Sequence, residues 1–117
     1  MKKDWNELEF TNIADFKRMA PSIIQLEISR IGKIIDSRNS MDLAYNLLIK
    51  ARFDLKEFRN DLETVIKNKM NENNLFKLYS ALFHIAGAAE NDPEIKSKTD
   101  YIIDRLNDLI YKCKMLY

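Results

Sequence analysis

Glycine and proline are scarce in this chain of 117 residues, two of each, and cysteine and histidine occur once apiece. Each shortage closes off some chemistry. Phosphate-cradling loops and dinucleotide fingerprints need clustered glycines, because the backbone must approach the phosphate closely. Gly32 and Gly87 stand alone, each inside a helical pattern, so neither loop can be assembled. A structural zinc site draws four ligands from Cys and His, and one of each falls short. A di-iron carboxylate bundle needs two Glu-x-x-His elements, yet Ala81 and Phe83 stand beside His84 where acids would be required. No metal and no cofactor is expected. The lone Cys113 cannot form an internal disulfide and falls on an apolar seam, which implies a reducing compartment.

Charge of one sign is also missing. Nineteen basic residues face eighteen acidic ones, for a net charge of +1, so no long-range field steers the chain to nucleic acid or an anionic membrane surface. Nowhere does an uncharged apolar stretch approach the roughly 18 to 20 residues of a membrane span. Lys2 and Lys3 resemble the start of an export signal, but Asp4, Asn6, Glu7 and Glu9 interrupt the apolar stretch that such a signal needs. A soluble, cytoplasmic protein is expected. Apolar residues at 46% and charged residues at 32% lie outside the disorder signature, and the length suits one domain over 1–117.

What the chain has in abundance is helical periodicity. Ala44, Leu48, Ala51, Leu55, Phe58, Leu62 and Val65 recur at three- and four-residue intervals, as do Ile95, Thr99, Ile102, Leu106, Leu109, Cys113 and Leu116. Such spacing writes one apolar stripe along a helix. Ile24, Ile28, Ile31 and Ile35 form a third stripe. Thr11 and Asn12 can cap a helix start, and Pro21 either kinks that helix or opens a new one. Polar breaks at Ser37–Ser40 and Asn71–Asn74, and Pro93 at a first helical position after Asn91 and Asp92, mark the other boundaries.

The pattern predicts helices over about 12–20, 21–37, 41–69, 75–90 and 93–116. With such short connections neighbouring helices run antiparallel. The expected fold is all-α, an up-down-up-down four-helix bundle, with 12–20 either extending the first long helix or standing as a short additional N-terminal helix. The 75–90 helix is the most apolar and is expected to be the most buried.

Several polar groups are candidates for chemistry. Asp100, Asp104 and Asp108 form a carboxylate row off the apolar seam, which reads as a solvated face. Arg52, Lys56 and Arg59 form a basic row that, with Lys112 and Lys114, could serve a nucleic-acid-associated subunit. Asp54, Glu57, Asp61 and Glu63 dilute it. His84 shares a strip with Lys77, Ser80, Gly87 and Asn91. Over about five residues this strip resembles a histidine phosphotransfer domain, a four-helix bundle whose phosphoaccepting histidine is followed by Lys and Gly three and four positions later. The resemblance implies phosphotransfer through His84. Gly87 and Ala88 occupy those positions here, so the phosphate-neutralising lysine is missing.

A stronger surface signal comes from apolar residues that the seams do not use. Met41, Tyr45, Ile49 and Phe53 recur every four residues away from Leu48, Leu55 and Leu62. Phe76 and Phe83 lie off the seam of the following helix, beside the small residues Ala86, Gly87, Ala88 and Ala89. In an antiparallel pair, Tyr45, Ile49 and Phe53 share one end of the bundle with Phe83 and Gly87. Two covers are open: the N-terminal segment with Trp5, Leu8, Phe10, Phe16 and Met19, or another molecule, since a leftover apolar patch marks an interface. The expected function is a small non-enzymatic helical protein–protein interaction module, such as a regulator, chaperone, immunity protein or complex subunit, with itself in a homodimer as one partner. Met41, Tyr45, Ile49, Phe53, Phe83 and Gly87 are its expected partner-binding residues.

Overall fold

The computed structural model describes residues 13–37, 43–65, 72–90 and 92–116. They form four helices: α1 Ile13–Asp36, α2 Leu43–Val65, α3 Glu72–Glu90 and α4 Pro93–Leu116. Each stripe read from the sequence becomes a buried face. On α2, Ala44, Leu48, Ala51, Leu55, Phe58 and Leu62 are all buried, and on α4 so are Ile95, Thr99, Ile102, Leu106, Leu109 and Cys113. One apolar cluster drawn from all four helices forms the core.

α1 runs unbroken through Pro21, so the segment read as 12–20 extends the first long helix and is not a separate piece. The reason lies on both sides of the proline. Phe16 and Ala20 before it, and Ile23 and Ile24 after it, are all buried in the same core. Burial of about 1.5–3 kcal/mol for each large side chain outweighs the roughly 3 kcal/mol that a helix-interior proline costs. α3 also starts earlier than the pattern suggested, at Glu72. Asn74, read as a turn former, instead donates from Nδ2 to Asp61 Oδ2 on α2, at 3.2 Å. The α4 boundary matches expectation: Asp92 Oδ1 accepts from the amides of Glu94 (3.1 Å) and Ile95 (3.2 Å), capping the helix that Pro93 opens.

Cross-helix contacts fix the antiparallel order. Between α1 and α2, Arg59 donates to Gln25 Oε1, and Arg52 lies over Gly32, its guanidinium 3.7 Å from where a Cβ would sit. Between α2 and α3, Asp61 meets Asn74 and Lys77, Asp54 meets Ser80 and His84, and Leu47 fits against Gly87. A Cβ at Gly87 would stand 3.4 Å from Leu47 Cδ1, an ordinary van der Waals contact, so the packing here does not depend on the glycine.

The α2–α3 contact is the most extensive and the α1–α4 contact the least. The result is a flattened bundle of 41 × 35 × 19 Å. A buried ion pair joins α1 to α4. Glu27 has no exposed surface, and its carboxylate accepts from Arg30 on its own helix (2.9 and 3.0 Å) and from Arg105 Nε on α4 (2.9 Å). Arg105 also donates to the Tyr101 hydroxyl. Both guanidiniums lie 4.9 Å from the Tyr101 ring centre, a cation–π arrangement.

Candidate functional site

The α2–α3 seam brings together five of the polar side chains singled out in the sequence: Asp54, Asp61, Lys77, Ser80 and His84. Leu47, Asp54 and Asp61 are spaced seven residues apart and so present one face of α2 to α3. At Asp54, Oδ2 accepts from the Ser80 hydroxyl at 2.9 Å and lies 3.0 Å from His84 Nδ1. At Asp61, Oδ2 accepts from Lys77 Nζ at 2.5 Å. Ser, His and Asp therefore meet, but not as a nucleophilic triad. In a triad the histidine stands between nucleophile and acid, whereas here Asp54 stands between Ser80 and His84, and the serine is not activated. For phosphotransfer, the His84 side chain is only 22% exposed, and Gly87 stands at the third position after it, where a phosphate-neutralising lysine would be needed.

The acidic row of α4 has an ordinary structural reading. Asp100 pairs with Lys96 at 3.4 Å and Asp108 with Lys112 at 3.3 Å. Among the described residues no group of three His, Cys, Asp or Glu side chains could hold a metal ion, and no helix is long and apolar enough to cross a membrane. The basic row of α2 and the lysines of α4 lie on helices whose described residues do not touch. Arg52 and Arg59 lie against α1, and Lys56 between them is exposed. Lys112 is tied to Asp108, and Lys114 lies 5.2 Å from the centre of the Tyr79 ring on α3.

The apolar ridge is divided by its own geometry. Met41 lies outside the described residues. Tyr45 and Ile49 are partly buried and pack on the core, whereas Phe53 is 60% exposed. A four-residue step overshoots a 3.6-residue turn by about 40°, so each successive member turns further from the core until Phe53 faces out. On α3, Phe83 is 76% exposed and Phe76 66%. Because Asp54 sits opposite Ser80 and His84, its neighbour Phe53 lies at the level of Phe83. Gly87 is at the same end, beneath Leu47. The expectation that this helix would be the most buried is overturned: Phe76, Tyr79 and Phe83 form an exposed row on it.

Within the described residues the N-terminal part of α1 does not cover this surface. Phe16 is fully buried and Met19 packs on the core. Counting back from Gly32, which lies beside Arg52, Phe16 is about 24 Å along the bundle axis at 1.5 Å per residue. Trp5, Leu8 and Phe10 lie outside the described residues.

Beside Phe83 is a cavity of about 460 Å³ between α3 and α4, lined by Phe83, Ala86, Gly87, Ala89, Glu90, Lys96, Asp100 and Ile103. Its walls are mostly apolar, and its charged residues are two acids and one lysine. Sequence reasoning did not foresee the cavity, although the run of small residues it noted forms one wall. Comparison with protein-family models, curated proteins and solved structures gives no match.

Proposed function

We propose that this chain is a small, non-enzymatic helical module of the cytoplasm that works by binding protein through the outward face of α2 and α3. The observation that carries the reading is the exposure of Phe53, Phe76 and Phe83, at 60%, 66% and 76%. Isolated surface phenylalanines are ordinary, but here two lie two helical turns apart on one helix and the third lies level with one of them on its neighbour. A contiguous apolar patch of that kind marks a binding surface. The hydrogen-bonded seam beneath, Asp54 with Ser80 and His84 and Asp61 with Lys77, holds the two helices in one register and presents the rings on a fixed platform.

The test is a double substitution, Phe53→Ala with Phe83→Ala, compared with the parent chain for capture of other proteins from its host and for molar mass in solution. Exposed side chains of this kind contribute little to folding, so helix content and melting temperature should hold while association is lost. Unfolding of the double variant would make the rings part of the core and end the reading. So would a parent chain that associates with nothing.

A further inference from the structure

We infer that the partner of the α3 face is a second copy of this chain, docked about a two-fold axis with Phe83 of each copy seated in the cavity between α3 and α4 of the other. The inference rests on the interaction reading above and names its occupant. A two-fold interface is self-complementary, so one patch must supply both a projection and the recess that receives it. Phe83 is the projection, 76% exposed, and it stands at the wall of the recess itself. At about 460 Å³ the recess falls within the roughly 300 to 1,000 Å³ of small-molecule pockets, which leaves room for one phenyl ring. Ala86, one turn beyond Phe83, is exposed and small, so it leaves the α3 backbone thinly covered beside the recess and an antiparallel second α3 can come close.

Area and charge agree with this occupant. Phe53, Phe76, Tyr79 and Phe83 are 60%, 66%, 42% and 76% exposed. At about 200 Å² for a whole aromatic side chain they offer about 500 Å². That is more than half of the roughly 800 Å² per partner that a stable interface buries. Glu90, Lys96 and Asp100 bring both signs of charge to the rim, so two-fold rotation can set the lysine of one copy against an acid of the other. With a net charge of only +1, the repulsion between two copies is small.

Molar mass by light scattering between 5 and 200 µM tests the inference. The parent chain should run at twice 13.8 kDa. Phe83→Glu, which puts a charge on the projection, and Ala86→Trp, which fills the recess from an exposed position, should each weaken the dimer at least 100-fold with helix content unchanged. A cross-linking pair guards against misfolding of either variant. Ala86→Cys should form a disulfide-linked dimer under mild oxidation, because a position near the axis meets its own counterpart, whereas Ser29→Cys on α1 should not. A parent chain that stays at 13.8 kDa throughout, or a dimer that survives both substitutions, overturns the inference. A monomer that still captures another protein through Phe53 and Phe83 overturns only the second copy and leaves the interaction reading standing. A monomer that captures nothing removes both.

Discussion

Removing Arg105 should cost this fold far more than removing Glu27, although the two are partners in one ion pair. Burial is the largest influence on the Glu27 carboxyl and raises it above its ordinary value of 4.5, against the opposing pull of Arg30 and Arg105. The folded state therefore holds the ionised carboxylate less well than water does. Because the folded value lies above the unfolded one, the contribution of Glu27 is fully present below pH 4.5 and is lost as the pH rises through the folded value. Glutamine resembles the neutral form and keeps an oxygen to accept from Arg105, which also retains the Tyr101 hydroxyl and ring. Arg105 loses its countercharge, but the raised value means that the ionised carboxylate is held less well folded than unfolded even with both guanidiniums present, so Glu27→Gln should change stability by less than about 1 kcal/mol at pH 7. Arg105→Met leaves a fully buried carboxylate whose remaining guanidinium, Arg30, sits on its own helix. Because Arg30 still pairs with the carboxylate, the loss stays below the roughly 3 kcal/mol of a wholly broken buried pair, at about 2 kcal/mol, which moves the urea midpoint down by about 1 M at a slope of about 1.5 kcal/mol/M. That cost should shrink toward pH 4, where Glu27 takes up a proton. Glu27→Leu with Arg105→Met together should return to within about 1 kcal/mol of the parent. Urea titrations of the four proteins at pH 4 and pH 7 measure all of this. Equal costs for the two single changes at pH 7, or an Arg105→Met cost that does not vary with pH, would refute the reasoning.

Pro21→Ala should stabilise the protein by about 1–2 kcal/mol, since a helix-interior proline costs about 3 kcal/mol and its stiffening of the unfolded chain returns about 1. A rise in melting temperature of several degrees is the sign, and an unchanged or lower value would mean that α1 needs the proline where it is. Cys113 is 1% exposed, and burial pushes its thiol up to about 12. Because the thiolate is the reactive form, a disulfide exchange reagent should label Cys113 only at the rate of global unfolding. Fast labelling at pH 8 would show α4 opening on its own.

The fold was legible because three of the four helices carry uninterrupted stripes. Ile24, Ile28, Ile31 and Ile35 on α1, and the runs on α2 and α4, read as buried faces and are buried wherever their side chains are described. Gly87 was read as a place where another backbone comes close, but what meets it is the Leu47 side chain of α2, at an ordinary contact distance. The Glu27–Arg105 pair was missed despite a signal. Glu27 lies three residues after Ile24 and four before Ile31, and Arg105 lies three after Ile102 and four before Leu109. Each charge thus occupies a stripe position, and two opposite charges so placed on different helices can satisfy each other in the interior. The division of the ridge was missed because a four-residue repeat was treated as a straight row, whereas it winds about 40° per step around the helix. This winding takes it from the half-buried Tyr45 and Ile49 to the exposed Phe53.

α3 inverts the usual arrangement of an amphipathic helix, and that inversion bears most on function. A helix of a chain that works alone turns its polar strip to water and its apolar stripe to the core. α3 has two apolar rows. Leu78, Ala81, Ile85 and Ala88 fill the core, while Phe76, Tyr79 and Phe83 face outward. Its polar strip lies between them and is spent on α2: Asn74 and Lys77 on Asp61, and Ser80 and His84 on Asp54. The seam's acids could not be replaced by apolar residues without leaving Ser80, His84 and Lys77 short of partners in a half-buried place. The side that a solvated helix would make hydrophilic is thus apolar, and the side that a packed helix would make apolar is hydrogen-bonded. Both departures make sense if the second apolar row is covered in the working state, since only then does α3 sit between two packed surfaces. The polar seam in that case fixes which of its two apolar rows faces the core.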